Sequence, residues 1–322
     1  RTSFPQHCAS SAGTREMSKR LLRRLLSLLV SILLVHAAAF MMVRATRGGP
    51  FDEERALAPQ VQLALEQRFG LDDSLLVQYF HAVSGLFRGD FGPSLRYRDT
   101  QVSALLADAL PISLALGGGA LLLALLLGIP SGLLAASRRH RNAGALAITT
   151  STFLLAIPNF VLAGLLVALF SFQLGWLPPA GFGSVRHLLL PWLCLALPLA
   201  AQISLLVHAR TTETLNSASV RSAIAQGLSP QLLLRRYILR PSLTPVLAFL
   251  GPATAALLTG SLVIEQVFAL PGLGTFFVQA ALARDYTLAL GVTVVYTALL
   301  GSCTLCADLL MARMDPRMEA LS

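Results

Sequence analysis

The residues able to do chemistry are few, and their spacing excludes more than it suggests. Cys303-Thr304-Leu305-Cys306 has the C-x-x-C spacing of half a zinc or dithiol site. Zinc needs a second pair of ligands, and none accompanies it. The other cysteines, Cys8 and Cys194, stand far off in sequence, so Cys303 and Cys306 read as small packing residues. His36 and His208 fall in or beside apolar runs without obvious partners, and no metal is expected. Neither an H-E-x-x-H helix nor a G-x-S-x-G elbow occurs. Lys19 is the only lysine, and no G-x-x-x-x-G-K-[ST] loop surrounds it. A phosphate cradle of that type requires its lysine, so any ATP that drives this protein is bound by another chain. Neither a cofactor nor enzymatic activity is expected. Two carboxylates, Glu265 and Asp308, end long apolar runs. Acids at such positions are functional hypotheses in a membrane protein, with a structural role equally open.

The elements that hold these residues are long and apolar. The chain has 322 residues, 55% hydrophobic and 13% charged, against about 25% charged in soluble domains. No Asp, Glu, Lys or Arg occurs in 25–43, 110–137, 142–185, 187–209, 241–264 or 286–307. About 20 apolar residues cross a bilayer core, so each run can span. Such a pattern excludes a soluble enzyme and an extracellular disulfide scaffold. The net charge of +9 is informative through its location. Segments 138–141 and 210–240 are arginine-rich, whereas 173–187 and 269–285 hold only Arg186 and Arg284 as basic residues. Basic loops stay cytoplasmic, so the first two lie inside and the other two outside. Lys19, Arg20, Arg23 and Arg24 place the N-terminal segment inside, and six spans return the C-terminus there. This closes if 142–185 crosses once and then breaks at Gly175, Pro178, Pro179 and Gly181. Nucleic acid is not an expected partner; the lipid bilayer is.

The expected organisation is an all-α polytopic protein. Residues 1–16 form a non-native or disordered extension ahead of Met17, the expected start. Residues 17–43 hold the first span, uncleaved because the apolar run continues past Ala37-Ala38-Ala39. Segment 44–109 is polar. Val61, Leu65 and Phe69, then Leu75, Leu76, Tyr79, Phe80, Val83 and Leu86, recur at helical spacing and predict two or three short outer helices. A core over 110–318 carries spans near 110–137, 145–172, 188–209, 241–264 and 286–311. Pro111, Pro130, Pro158, Pro191, Pro198, Pro245 and Pro252 fall within these spans. Each removes a backbone donor, which suits kinked helices around a pathway.

The loop 210–240 carries the clearest signal. Thr211 to Pro230 is too polar to span and too apolar for a free linker. Val220, Ala223, Ile224 and Gly227 fall on one helical face that stops at Ser229-Pro230. Small residues there suit close approach by a partner; the alternative is a helix lying under its own bundle.

A small residue four positions before a glycine, in a short helix between the last-but-two and last-but-one spans, resembles the coupling helix of binding-protein-dependent ABC importer permeases. Further segments resemble the peptide-transporting branch: Phe51-Asp52-Glu53-Glu54-Arg55, Gly89-Asp90-Phe91-Gly92-Pro93-Ser94, Leu174-Gly175-Trp176-Leu177-Pro178, Gly260-Ser261-Leu262-Val263-Ile264-Glu265, Leu270-Pro271-Gly272-Leu273-Gly274, Arg284-Asp285-Tyr286 and Met314-Asp315-Pro316-Arg317. In order and spacing, from about 17 to 318, they look like the first of the two permease subunits of oligopeptide importers.

The resemblance implies a type I importer permease in a bacterial inner membrane. It implies a homologous second permease, two ATP-binding subunits inside and a periplasmic peptide-binding protein outside, with peptide as substrate. It carries the coupling role to Arg221, Ala223, Ile224, Gly227 and Leu228, with Gly227 as the loop glycine and Arg221 able to pair with an ATPase carboxylate. Structural or gating roles fall to Glu265, Pro271, Gly272, Gly274 and Asp285. The sequence departs from the branch at Ile224 and Gln226, where a basic residue is usual, and at Tyr237, where histidine is common. Docking that leans less on ion pairs follows, at small cost, because exposed pairs contribute only about 0–1 kcal/mol. A sister importer of dipeptides, nickel chelates or cationic peptides has the same architecture. An ion-gradient-driven transporter calls for paired acids and bases within the spans, which are absent. A rhomboid-type or zinc protease calls for motifs the chain lacks.

Overall fold

The computed structural model describes residues 9–45, 73–97, 99–137 and 141–314. These are almost entirely helical. In chain order they form α1 (Ala9–Ala45), α2 (Leu75–Arg88), α3 (Val102–Ala135), α4 (Arg141–Ala156), α5 (Asn159–Val167) and α6 (Val185–Leu215). There follow α7 (Ala218–Ala225), α8 (Pro230–Leu233), α9 (Leu239–Val267), α10 (Leu273–Leu282) and α11 (Tyr286–Met314). Wide π-helical turns at Ala168–Gln173 and Leu234–Ile238 extend α5 and lead into α9. Five helices are long and apolar enough to cross a membrane, and six crossings result if α4 and α5 count as one.

That pair differs from a straight span near 145–172. It bends by 107°, and the cause is local. Pro158 cannot donate and takes extended backbone (φ −61°, ψ 141°), so α4 ends and α5 restarts at Asn159 with Pro158 as its N-cap. The six other span prolines lie inside α3, α6 and α9 without ending them. Of the helices expected across 44–109, α2 is present; Val61, Leu65 and Phe69 lie outside the described residues.

Two compact units emerge, one within residues 1–103 and Ala283–Gly301, the other within Ala104–Leu282 and from Ser302 onwards. The second is built around α6, whose buried face includes Leu190, Cys194, Ala196, Ile203 and Val207. Alanines 120, 124, 163, 196, 200 and 253 let α3, α5, α6 and α9 pack closely in its core. Glycine allows the tightest approach. A Cβ on Gly128 would lie 2.7 Å from the Ala200 carbonyl oxygen, and one on Gly132 would lie 2.7 Å from Val207 Cβ. Gly119 has the Trp192 ring where a Cβ would go, and that indole donates to the Ala115 carbonyl at 3.0 Å. Gly128-x-x-x-Gly132 is therefore a small-residue seam between α3 and α6. Such seams replace the hydrophobic drive that helices lack in lipid. A buried hydrogen bond from Thr211 Oγ1 to Ser242 Oγ (2.9 Å) ties α6 to α9.

In the first unit, α2 ends at Gly89 (φ +72°), where Asp90 N–H bonds to Gly85 O (2.9 Å) in a left-handed cap. The loop after it closes through Ser94 N–H to Thr100 O (2.9 Å) and Val102 N–H to Gly92 O (3.0 Å).

Candidate functional site

The resemblance points to three places: the loop around Gly227, the turn after Glu265 and the start of the last helix. Each is built by satisfying helix ends.

The first is α7. Ser217 is its N-cap, with extended backbone, and its hydroxyl accepts from Val220 N–H at 3.4 Å. The helix stops at Gly227, whose φ of +77° is the left-handed conformation that costs a side chain about 1–2 kcal/mol. That turn sends Gly227 N–H to Ile224 O (2.9 Å) and Leu228 N–H to Ala223 O (3.3 Å). Among the described residues, no atom beyond the glycine and its chain neighbours lies within 4 Å of where a Gly227 Cβ would be. The conformation requires glycine here; crowding within the chain does not.

The four residues expected on one open face are divided. Val220 and Ala223 are buried against their own chain, whereas Arg221, Ile224 and Gly227 are exposed and Leu228 is half-buried. The small side chain of Ala223 thus serves packing inside the subunit, because the helix lies flush on the residues above it. Behind α7 a cleft of about 490 Å³ is lined by Leu133, Leu215, Arg221, Ile224 and Leu234, among others. Tyr237, the departure noted above, lies in the π-turn leading into α9.

The second place gathers Glu265, Gly272 and Gly274 with Ser113 of α3, a residue that the sequence did not single out. Glu265 is fully buried. Its Oε2 accepts from Gly274 N–H (2.7 Å) and Thr275 N–H (3.3 Å), and its Oε1 accepts from the Ser113 hydroxyl (2.9 Å). Ser113 Oγ accepts in turn from Leu273 N–H (2.9 Å), and Phe276 N–H bonds to Gly272 O (3.2 Å). The first four N–H groups of a helix lack partners within it; here all four of α10 are satisfied. Among the described residues Glu265 has no cationic partner, so the positive end of α10 faces it instead.

Gly272 and Gly274 are required by this contact. A Cβ on Gly272 would sit 2.6 Å from Glu265 Cδ and 2.7 Å from Ser113 Oγ. One on Gly274 would sit 2.7 Å from Leu262 Cα. Between the carboxylate and the glycines, α9 ends in a left-handed residue, Ala269 (φ +52°), with Leu270 N–H bonded to Glu265 O (2.8 Å). Pro271 is exposed and outside this bonding.

The third place belongs to the first unit. Asp285 is fully buried and is the N-cap of α11. Its Oδ1 accepts from Leu288 N–H (3.1 Å) and the Thr287 hydroxyl (3.0 Å). Its Oδ2 accepts from the Ser94 hydroxyl and from Arg96 N–H (3.2 Å). Thr287 Oγ1 also reaches the Pro93 carbonyl oxygen at 2.8 Å. Residue Asp285 thus pins the Gly89–Thr100 loop to the start of α11. Ser94 belonged to a motif whose end the sequence left without a role.

Elsewhere, Asp308 lies half-buried on α11, and Cys303 and Cys306 are free thiols, half-buried and exposed. No group of three metal-ligating side chains occurs among the described residues.

These capped turns and this short exposed helix lie in a chain with close relatives. The profile of the family described as "Binding-protein-dependent transport system inner membrane component" matches residues 128–320. The oligopeptide transport system permease protein OppB of Salmonella typhimurium is 38% identical over 305 residues, covering 94% of this chain and all of that protein. The dipeptide transport system permease protein DppB of Bacillus subtilis is 35% identical, covering 94% and 98%. Among solved structures, the inward-facing MetNI methionine ABC transporter matches 66% of this chain and 96% of its own, with a TM-score of 0.53 at 16% identity, a likeness of fold. The chain is a multi-pass, all-α member of the binding-protein-dependent transport system inner membrane components.

Proposed function

We propose that this chain is a membrane-spanning permease subunit of an ATP-driven importer that translocates oligopeptides delivered by a periplasmic binding protein. The observation that carries it is the match to OppB, 38% identical across all of that protein. In this reading the chain sits in a bacterial inner membrane with both termini cytoplasmic. It pairs with a homologous permease, and two ATP-binding subunits dock beneath.

Docking falls to α7, whose exposed Arg221 and Ile224 flank the Gly227 turn. The buried Val220 and Ala223 fix that helix to the body of the subunit. Force applied by an ATPase at Ile224 is therefore carried into α6 and α9 and not absorbed by a loose loop. Helices opening alternately to each side of the membrane would pass the peptide.

DppB, at 35% identity, supports dipeptides as the second reading of cargo. The test is purification with co-expressed partners, reconstitution into vesicles, and ATP-dependent uptake of labelled peptides of two to six residues. Uptake that ignores ATP refutes the importer; uptake limited to dipeptides selects the second reading. Arg221→Glu is expected to weaken co-purification of the ATP-binding subunits, and unchanged recovery would assign Arg221 to the surface alone.

A further inference from the structure

The first unit forms a half-open cavity that neither the capped turns nor the coupling helix explains. It has a volume of about 320 Å³, within the range of small-ligand sites. Its walls come from the end of α1, from α2, from the Asp90–Leu95 loop and from the first turns of α11.

Arg44, at the end of the first span, lies against two aromatic faces. Its guanidinium carbon is 5.6 Å from the Phe40 ring centre and 5.5 Å from that of Tyr286. Stacking of this kind holds the flat group by its faces and leaves its N–H edge for a ligand. Arg44 makes no hydrogen bond or ion pair among the described residues and lines the cavity. One turn pair earlier on α1, His36 is 4% exposed, and its Nδ1 is buried without a hydrogen-bond partner. Buried polar atoms are normally paired, so an unpaired one on a cavity wall marks a place for a ligand. His36 also packs on Tyr79, at 5.6 Å between ring centres.

Two acids, Asp73 and Asp90, line the same cavity. Asp90 Oδ1 accepts from Gly92 N–H at 2.9 Å, which holds that carboxylate in place. A stacked cation and two acids suit a ligand of both charges. The remaining walls include Val43, Leu86, Phe91 and Leu290, and next to Arg44 the span exposes Met41 and Met42. A polar head inside with apolar chains along α1 fits this arrangement better than a free ion. Arginines and aromatic rings at span ends lie at headgroup depth.

We propose that this cavity is a phospholipid-headgroup site that takes a zwitterionic phosphoethanolamine head, with its phosphate on Arg44 and its ammonium towards Asp73 and Asp90. The proposal needs only that the chain crosses a membrane, and stands or falls apart from the cargo.

The test uses the importer purified with its partner subunits, stripped of lipid in detergent and titrated under native mass spectrometry. The probes are phosphatidylethanolamine, phosphatidylglycerol, soluble phosphoethanolamine and inorganic phosphate. The ethanolamine lipid is expected to bind several-fold more tightly than the glycerol lipid, and neither soluble compound should displace it. Arg44→Gln should weaken the ethanolamine lipid about tenfold or more, as loss of a charge-assisted contact implies. Asp73→Asn with Asp90→Asn should abolish the preference between the two lipids, since asparagine keeps the Gly92 contact. Equal binding of both lipids to the unaltered importer overturns the proposal, and that measurement needs no variant to fold. Undiminished binding by an assembled Arg44→Gln importer overturns it too. Displacement by phosphoethanolamine or phosphate would make this a soluble-anion site and refute the lipid.

Discussion

Removing the Glu265 carboxylate should cost more than any other single change near α10, and the structure sets the order of a short series. In Glu265→Ala three donors lose their acceptor: Gly274 N–H, Thr275 N–H and the Ser113 hydroxyl. Each buried donor left alone costs about 1–3 kcal/mol. With the Thr275 contact already long at 3.3 Å, the total is about 3–6 kcal/mol. Glu265→Gln keeps the shape. Its carbonyl can take the Oε2 position and retain both N–H groups, while Ser113 Oγ accepts from the new amide. What it loses is negative charge at the start of α10, about 0.3–2 kcal/mol, while the Ser113 hydroxyl must turn its proton to a carbonyl of its own preceding helical turn. Gly272→Ala leaves every donor paired but brings a methyl group to 2.6 Å from Glu265 Cδ, an overpacking cost of about 1–3 kcal/mol.

The discriminating measurement is the double variant. If the methyl clashes with the carboxylate, Gly272→Ala loses much of its cost once Glu265 is alanine, leaving a coupling of about 1–2 kcal/mol. Unfolding midpoints of the purified transporter in nanodiscs would read the order, with Glu265→Gln nearest the parent and Glu265→Ala farthest. An alanine variant as stable as the parent, or a Gly272→Ala cost unaltered by loss of the carboxylate, would refute the reasoning.

Other outcomes follow from the same geometry. At Gly227, asparagine tolerates the left-handed backbone better than alanine, so strain alone ranks Asn as the milder change. Close approach by an ATPase instead makes Gly227→Asn and Gly227→Trp both abolish peptide uptake while membrane insertion persists; normal uptake by Gly227→Trp would sink that idea. Asp285→Asn removes acceptor capacity shared by Ser94 and Arg96, and should lower stability by about 1–3 kcal/mol. Ser94→Ala combined with it should add a further loss, because Ser94 Oγ also accepts from Tyr97 N–H (2.9 Å), a contact that Asp285→Asn leaves in place. Gly132→Leu drives a side chain into Ser204 and Val207 of α6 and should prevent assembly of the second unit, read as loss of monodisperse protein. Ala269→Gly should stabilise by up to about 1 kcal/mol, since φ is +52° there.

The spans were legible because lipid demands a run of uncharged residues long enough to cross it, and six such runs are visible in the sequence. The α7 helix was legible from the helical spacing of Val220, Ala223, Ile224 and Gly227 and the stop at Ser229-Pro230, which are local signals; its Ser217 cap emerged only in the structure. Which face of α7 is open was not legible, because burial of Val220 and Ala223 depends on the residues lying above them. The Gly128-x-x-x-Gly132 seam was not singled out from the sequence, because its partners on α6 become neighbours only when the helices pack. Pro158 was readable as a kink within a span, whereas the 107° bend depends on how α5 packs after it.

Sequence alone determined that this protein crosses a membrane repeatedly, carries no Walker-type nucleotide site and resembles an importer permease. These follow from composition, charge placement and short ordered motifs, all properties of residues near one another in the chain. Tertiary structure decided what the two buried acids do. Glu265 meets Ser113 across 152 positions, and Asp285 meets Ser94 across 191. A buried carboxylate is tolerable only beside donors, and donors so distant in sequence become neighbours only when the helices pack.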